Sequence, residues 1–266
     1  MKLVSSRDNP DWKMLVRLCH SSRDRRKSGK CVLEGAHTIA AYLERYGIPE
    51  LIVVNEEARD DGEIRGIVLR AGSRQVMVAD ARLFGELAQT AAPTGVLAVI
   101  AAPQPGSLAP GAFNLLLEDV QDPGNVGTML RTAAAAGVTH AFLSAGCAFA
   151  WSPKVLRAGQ GAHFFLDIVE HADLPALARD FNGKVVAAVP RAPVSLFDAD
   201  LRGPLMFVVG NEGAGLSPAL IASATAQVAI PMPGGFESLN AASAAAVCLF
   251  EKLRQEGNWP RPQTAF

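Results

Sequence analysis

Phe207-Val208-Val209-Gly210-Asn211-Glu212-Gly213-Ala214-Gly215-Leu216-Ser217 carries the chain from an apolar run through a glycine-rich turn to a residue suited to cap a helix. A strand that lacks polar alternation is buried on both faces, as strands of covered parallel sheets are. Similar runs occur at Leu115–Leu117, Ala141–Leu143, Phe165–Val169, Val185–Val189, Leu205–Val209 and Val228–Ile230, separated mostly by helix-length segments. The pattern predicts an α/β domain built on a parallel sheet with helices on both faces. Ligands of such sheets bind where loops leave the carboxyl ends of the strands. The glycines let backbone approach a ligand closely, and Glu212 sets a carboxylate among them. The spacing is not GxGxxG and holds no Walker lysine, which argues against a dinucleotide or phosphate loop. Alone, the segment reads more readily as a plain strand-to-helix turn with Ser217 as its cap.

Two further segments sit at comparable exits. Glu118-Asp119-Val120-Gln121-Asp122-Pro123-Gly124-Asn125-Val126-Gly127-Thr128-Met129-Leu130-Arg131-Thr132 reads as a strand end, a Pro-Gly turn and a helix, with Asn125 as expected N-cap and Gly137 as the stop. Helical side chains lean toward the N-terminus, so Arg131 is able to direct its guanidinium toward the loop mouth. Ile230-Pro231-Met232-Pro233-Gly234-Gly235-Phe236-Glu237-Ser238-Leu239-Asn240 is an irregular loop before the Ala-rich helix Ala241–Arg254. Capping accounts for one of Ser238 and Asn240 but not readily for both.

Upstream, Cys31–Leu33, Leu51–Val54, Gln75–Val78 and Val96–Ile100 read as strands, and Ala36–Tyr46 and Ile64–Ala71 as helices. Pro103, Pro105, Gly106, Pro110 and Gly111 then interrupt the periodicity. The expected division is a small α/β domain over 1–101, a linker over 102–112 and the larger domain over 113–266. The formal net charge of −1 hides an asymmetry. Lys2, Arg7, Lys13, Arg17, Arg23, Arg25, Arg26, Lys27 and Lys30 face only Asp8, Asp11 and Asp24, which predicts a basic helical arm for a polyanion. Trp12 is able to stack a base, but a lone aromatic on an amphipathic helix is expected in a core, and His20 and His37 are expected to be structural or at the surface.

Cys19, Cys31, Cys147 and Cys248 are scattered, with no metal-ligand spacing, and read as reduced thiols of a cytoplasmic protein. No metal is expected. The first residues, with Arg7, Asp8, Pro10 and Asp11, lack the apolar run of a signal peptide, and no apolar stretch is suited to span a bilayer.

Taken in order, Asn125-x-Gly127-x-x-x-Arg131, then Gly210-Asn211-Glu212-Gly213, then Ile230-Pro231-Met232 with Ser238-Leu239-Asn240, resemble the three motifs of the SpoU (TrmH-like) class of SPOUT RNA ribose 2'-O-methyltransferases. Ser152-Pro153-Lys154-Val155 with Arg157-Ala158 resembles the segment between the first two motifs. Asn9-Pro10, Lys13 and Glu34-Gly35-Ala36-His37 resemble the amino-terminal RNA-binding module of 23S rRNA methyltransferases of this class. Departures are Ala241-Ala242 where relatives continue Val-Ser, and Gly159 where a small polar residue is frequent.

The resemblance implies a deep trefoil knot in the catalytic domain, S-adenosyl-L-methionine as methyl donor, RNA as substrate and a homodimer. It assigns Asn125, Arg131, Glu212, Ser238 and Asn240 to the reaction site. The cofactor falls to Val209, Gly210, Asn211, Gly213, Ile230, Pro231, Met232, Ser238 and Leu239. For RNA, the basic run supplies Arg23, Arg25, Arg26, Lys27 and Lys30 as expected contacts, and the matched segments add Lys13 and Arg157. A guanidinium has no accessible neutral form, so Arg131 is expected to grip a phosphate and stabilise charge on the 2'-oxygen rather than take its proton. Glu212, Ser238 or water is expected to orient the hydroxyl. Alternatives are transfer RNA as target and an RNA-binding homologue without catalysis; an ordinary nucleotide-dependent oxidoreductase lacks its fingerprint glycines.

Overall fold

The computed structural model describes residues 2–4, 6–87, 94–107 and 112–257. Positions 108–111 of the expected linker and the stretch 258–266 lie outside the described residues. The chain divides into two compact units, Met1–Pro103 with Trp151–Phe164, and Gln104–Ala150 with Phe165–Phe266. The first boundary falls at Pro103, within the predicted linker. The expected block over 113–266 is interrupted, because Trp151–Phe164 groups with the first unit.

The elements of the first unit run β1 (Lys2–Val4), α1 (Pro10–His20), α2 (Ser22–Ser28), β2 (Lys30–Glu34), α3 (Ala36–Tyr46), β3 (Leu51–Asn55), α4 (Gly62–Ala71), β4 (Val76–Ala79), α5 (Ala81–Leu87) and β5 (Val96–Ala101). Its mixed sheet has the order β1-β4-β3-β5-β2. The basic N-terminal stretch is not an arm. β1 pairs in parallel with β4, and α1 sinks Trp12, Leu15, Leu18 and Cys19 into a core with Val53, Met77, Phe84 and Leu97. Trp12, 1% exposed, is therefore packing and not a base-stacking platform.

Arg25 also corrects expectation. It is 6% exposed, and its Nη1 donates to the carbonyls of Leu18 (2.6 Å) and Cys19 (3.0 Å). The guanidinium thus satisfies the carbonyl end of α1, where a cation also meets the negative end of the helix dipole. It is withdrawn from any RNA-facing surface.

The second unit continues β6 (Phe113–Leu117), α6 (Pro123–Ala135) and β7 (His140–Leu143); α7 (Pro153–Gly159) belongs to the first unit. Then follow β8 (Asp167–Val169), α8 (Leu174–Asp180), β9 (Lys184–Ala188), β10 (Val194–Ser195), β11 (Leu205–Val209), α9 (Pro218–Ser223), β12 (Ala226–Ala229) and α10 (Ala241–Glu256). Among the described residues seven strands, all parallel, take the order β10-β12-β9-β11-β6-β7-β8. Leu116, Phe142, Val185, Met206 and Val208 pack on Leu174, Ala178 and Leu220 of α8 and α9. α10 packs on α6 and against β11 and β9. Helical cover on both sides explains the uninterrupted apolar runs.

Val209 of β11 is in register with Leu117 of β6, and Leu117 with Leu143 of β7, so these strands end together. The chain steps outward from β6 to β8 and returns to place β11 beside β6. The loops after both strands therefore open at a topological switch point, the usual crevice of such sheets. Gly137, at φ +78, closes α6: Val138 N–H reaches Ala133 O and Gly137 N–H reaches Ala134 O. Burial pushes the thiols of Cys19 and Cys248 up to about 12, and all four cysteines are free. Among the described residues no helix is long and apolar enough to cross a membrane.

Candidate functional site

The loop after β11 is built by its own asparagine. Asn211 and Gly215 exchange backbone hydrogen bonds, and Asn211 Oδ1 accepts the N–H groups of Gly213 (2.8 Å) and Ala214 (2.9 Å). Its Nδ2 donates to Asp119 O at 2.8 Å, which ties this loop to the one after β6. Gly210 has a steric reason to be glycine, since a Cβ there would lie 2.5 Å from Gly215 O. Ser217 caps α9 as expected, accepting from Leu220 N–H.

The Glu118-Asp119 pair that follows β6 supplies struts that the sequence did not reveal. Glu118 accepts from Ser217 N–H (2.7 Å) and Ser217 Oγ (2.6 Å). Asp119 holds φ 53; its N–H donates to Ser144 Oγ, whose hydroxyl donates to Asp119 Oδ1 at 2.6 Å. The available signal was two carboxylates immediately after a buried strand, each needing a partner at the surface.

Asp122, not Asn125, caps α6: its Oδ1 accepts from Asn125 N–H at 2.8 Å, with Pro123 at the first helical position. With Asp122 as the cap, the Asn125 side chain is left for other partners. At the third exit Asn240 caps α10, accepting the N–H groups of Ala242 (2.9 Å) and Ser243 (3.2 Å) on Oδ1. Backbone N–H groups cannot accept, so this cap fixes the Asn240 amide with Nδ2 outward as a donor. Nδ2 then donates to Asn125 Oδ1 at 3.0 Å, and Asn125 Nδ2 donates to Glu212 Oε1 at 2.6 Å. A directed relay thus runs from the start of α10 through two amides to one carboxylate, joining the three loops. The Ala241-Ala242 departure leaves it intact, because Ala242 takes part through its backbone.

The loops after β11 and before α10, with the segment after β9, enclose a cleft of about 830 Å³, which neither Asn125 nor any other residue of the motif after β6 lines. Gly210 to Leu216, Ile230, Met232, Ser238, Leu239 and Asn240 line it, together with Val209. Pro231 does not line it. Arg131 lies on the exposed face of α6 outside the lining, and its guanidinium has no hydrogen bond or ion pair among the described residues. The cleft also takes in Arg191, Phe236 and Glu237, which the sequence reading left unassigned.

The remaining predicted contacts lie in the first unit. Arg23, Arg26 and Lys27 are exposed on α2, Lys13 pairs with Asp8 at 2.9 Å, and Lys30 pairs with Glu50. Arg157 is exposed on α7, whose N-cap is Ser152 with Pro153 at the first helical position.

The cleft's volume suits a nucleoside-sized ligand. Leu216, Ile221, Ile230 and Met232 offer apolar walls, while Glu212 and Glu237 offer carboxylates to a cationic centre. This donor set fits a sulfonium-bearing nucleoside.

The SpoU rRNA Methylase family model matches residues 112–250, and an MRM3-like substrate binding domain model matches residues 4–98. The chain is 33% identical over 256 residues to the Bacillus subtilis 23S rRNA (guanosine(2553)-2'-O)-methyltransferase RlmP, covering 94% of this chain and 98% of that one. It is 34% identical over 258 residues to a Synechocystis protein named as an uncharacterised tRNA/rRNA methyltransferase, covering 95% and 94%. The crystal structure of an RNA 2'-O ribose methyltransferase superposes with TM-score 0.82 at 29% identity, over 96% of this chain and 100% of that one. The SpoU methyltransferase AviRb of Streptomyces viridochromogenes, in complex with AdoMet, gives TM-score 0.82 at 25% identity over 93% and 98%.

Proposed function

Because this chain belongs to the SpoU rRNA methylase family, we propose that it is a methyltransferase acting on a ribose 2'-hydroxyl of 23S ribosomal RNA in the cytoplasm. The observation that carries the reading is the meeting of all three motif loops at one sheet edge, joined through Asn125 to Glu212 and Asn240.

S-adenosyl-L-methionine, when bound, supplies the methyl group as an activated sulfonium. Gly210, Gly213, Ile230, Met232 and Leu239 would hold it, with Asn211 keeping their loop closed. Asn125 and Asn240 act as positioning residues that fix the Glu212 carboxylate. Positioning is the larger part of the catalytic task when two substrates must align in line. Glu212 and Ser238 orient the 2'-hydroxyl. Arg131 grips a phosphate of the target strand and stabilises charge developing on the 2'-oxygen.

In the first unit, Lys13, Arg23, Arg26, Lys27, Lys30 and Arg157 supply contacts to RNA backbone, which are blind to sequence. The family also carries the expectation of a trefoil knot and a homodimer. Phe250, 47% exposed on the outer face of α10, supports a second copy there.

Mapping 2'-O-methyl sites in total RNA from cells with and without the gene tests the reading. Loss of one 23S site is expected. An unchanged map of 23S rRNA with a lost transfer RNA site would overturn the target, and no lost site would overturn the activity.

A further inference from the structure

Two side chains of the cleft take no part in the relay or in the fold. Phe236 is 77% exposed. It follows a turn in which Gly235 N–H bonds Met232 O and Gly235 takes φ +73, so Met232-Pro233-Gly234-Gly235 presents the ring at the cleft mouth. Arg191 leaves the carboxyl end of β9 between Pro190 and Pro193 and is exposed. Its guanidinium has no hydrogen bond or ion pair among the described residues, although Lys184 and Arg202 of the same unit are both paired with Asp200.

From this arrangement we propose that Phe236 and Arg191 form a single-strand RNA subsite, Phe236 stacking a base beside the methylated ribose and Arg191 holding a backbone phosphate. The inference rests on RNA being the substrate. Glu212 and Glu237 within the cleft complement a cationic nucleoside, which leaves the rim arginine for an anionic partner. An exposed ring together with an unpaired cation is the combination that grips single strands, since every base offers a π-face and every linkage a charge. In the sheet β9 and β6 flank β11 on opposite sides, which places them about 10 Å apart. The segments that carry Arg191 and Asn125 therefore leave the sheet on opposite sides of the β11 loop, which carries Glu212. All three line one cleft, so a strand that offers its ribose to Glu212 would meet Phe236 and Arg191 through neighbouring nucleotides. The subsite would select for unpaired RNA at the target.

The test compares wild type with Phe236→Leu, Phe236→Trp and Arg191→Ala, using an unmodified 23S rRNA transcript and labelled S-adenosylmethionine. Phe236→Leu should raise KM for RNA about tenfold and Phe236→Trp should hold it near wild type, because stacking needs a ring. Arg191→Ala should flatten the salt dependence of RNA binding by about 0.7 in log–log slope, the loss of one single-strand phosphate contact. S-adenosylmethionine affinity by calorimetry should stay within about twofold. Any of three results would overturn the subsite: equal KM for leucine and phenylalanine, a cofactor affinity that falls while RNA binding holds, or dissociation of a dimer by the Phe236 substitutions. Failure of the wild-type enzyme to methylate the transcript would instead strike the activity itself.

Discussion

At the carboxyl edge of the seven-stranded sheet, Asn125, Asn240, Glu212, Asn211 and Asp119 are committed to one another. On α2, Arg23 and Lys27 are exposed, with no side-chain partner among the described residues. Both regions are polar and solvent-facing, yet they are different kinds of site. The first is built from directed hydrogen bonds, so each member fixes the orientation of the next. The second offers charge, whose effect adds and is screened by salt. Substitutions in the first should therefore act together and strongly, and those in the second singly and mildly.

The largest effect is expected where the relay's polarity is reversed. In Asn125→Asp a carboxylate replaces the amide that donates to Glu212 at 2.6 Å, setting two like charges in contact. Loss of about 100-fold in single-turnover rate at neutral pH is expected, comparable to removing one positioned donor. Such a pair takes up a proton above the ordinary carboxylate range, and the protonated form donates again, so part of the rate should return as pH falls. A wild-type rate at neutral pH would show that the relay does not position Glu212. Arg131→Lys should cost about tenfold or more, since an ammonium cannot reproduce a two-pronged phosphate grip. A pH series of single-turnover rates at near wild-type level would remove that role.

Gly210→Ala probes the loop itself. The added Cβ meets backbone at 2.5 Å, and backbone cannot rotate away as a side-chain tip would. A loss of about 2 kcal/mol is expected by denaturant titration, in the range of overpacking. An unchanged midpoint would mean that the turn after β11 is looser than its hydrogen bonds indicate.

The sheet was readable because strands covered on both faces announce themselves as unbroken apolar runs, and observed strands overlap each predicted one. Lys2–Val4 and Val194–Ser195, both edge strands, escaped notice because each mixes a polar residue into two or three positions and so shows neither an unbroken apolar run nor a period. Asn125 was misread as the cap of α6 because Asp122, three residues earlier, is just as good a cap; the choice depends on Glu212, 87 residues away. Glu118 and Asp119 were missed for the same reason, their partners being Ser217 and Ser144. Local chemistry names the candidates, and long-range partners decide among them.

Arg25 is the sharpest case and gives the last prediction. In the run Arg23-Asp24-Arg25-Arg26-Lys27 nothing distinguishes it from its neighbours, yet it alone is buried and bonded to the carbonyl end of α1. Arg25→Ala should lower stability by about 2 kcal/mol, as for charged hydrogen bonds left unmade, with little change in the salt slope of RNA binding. Arg23→Ala and Lys27→Ala should do the opposite. Each should leave the unfolding midpoint unchanged and flatten the slope by about 0.7 to 0.9, the loss of one phosphate contact. If Arg25→Ala moves the slope while Arg23→Ala moves the midpoint, α2 presents a different face to RNA than its burial pattern shows, and the contrast between a committed edge and an uncommitted helix fails at the helix.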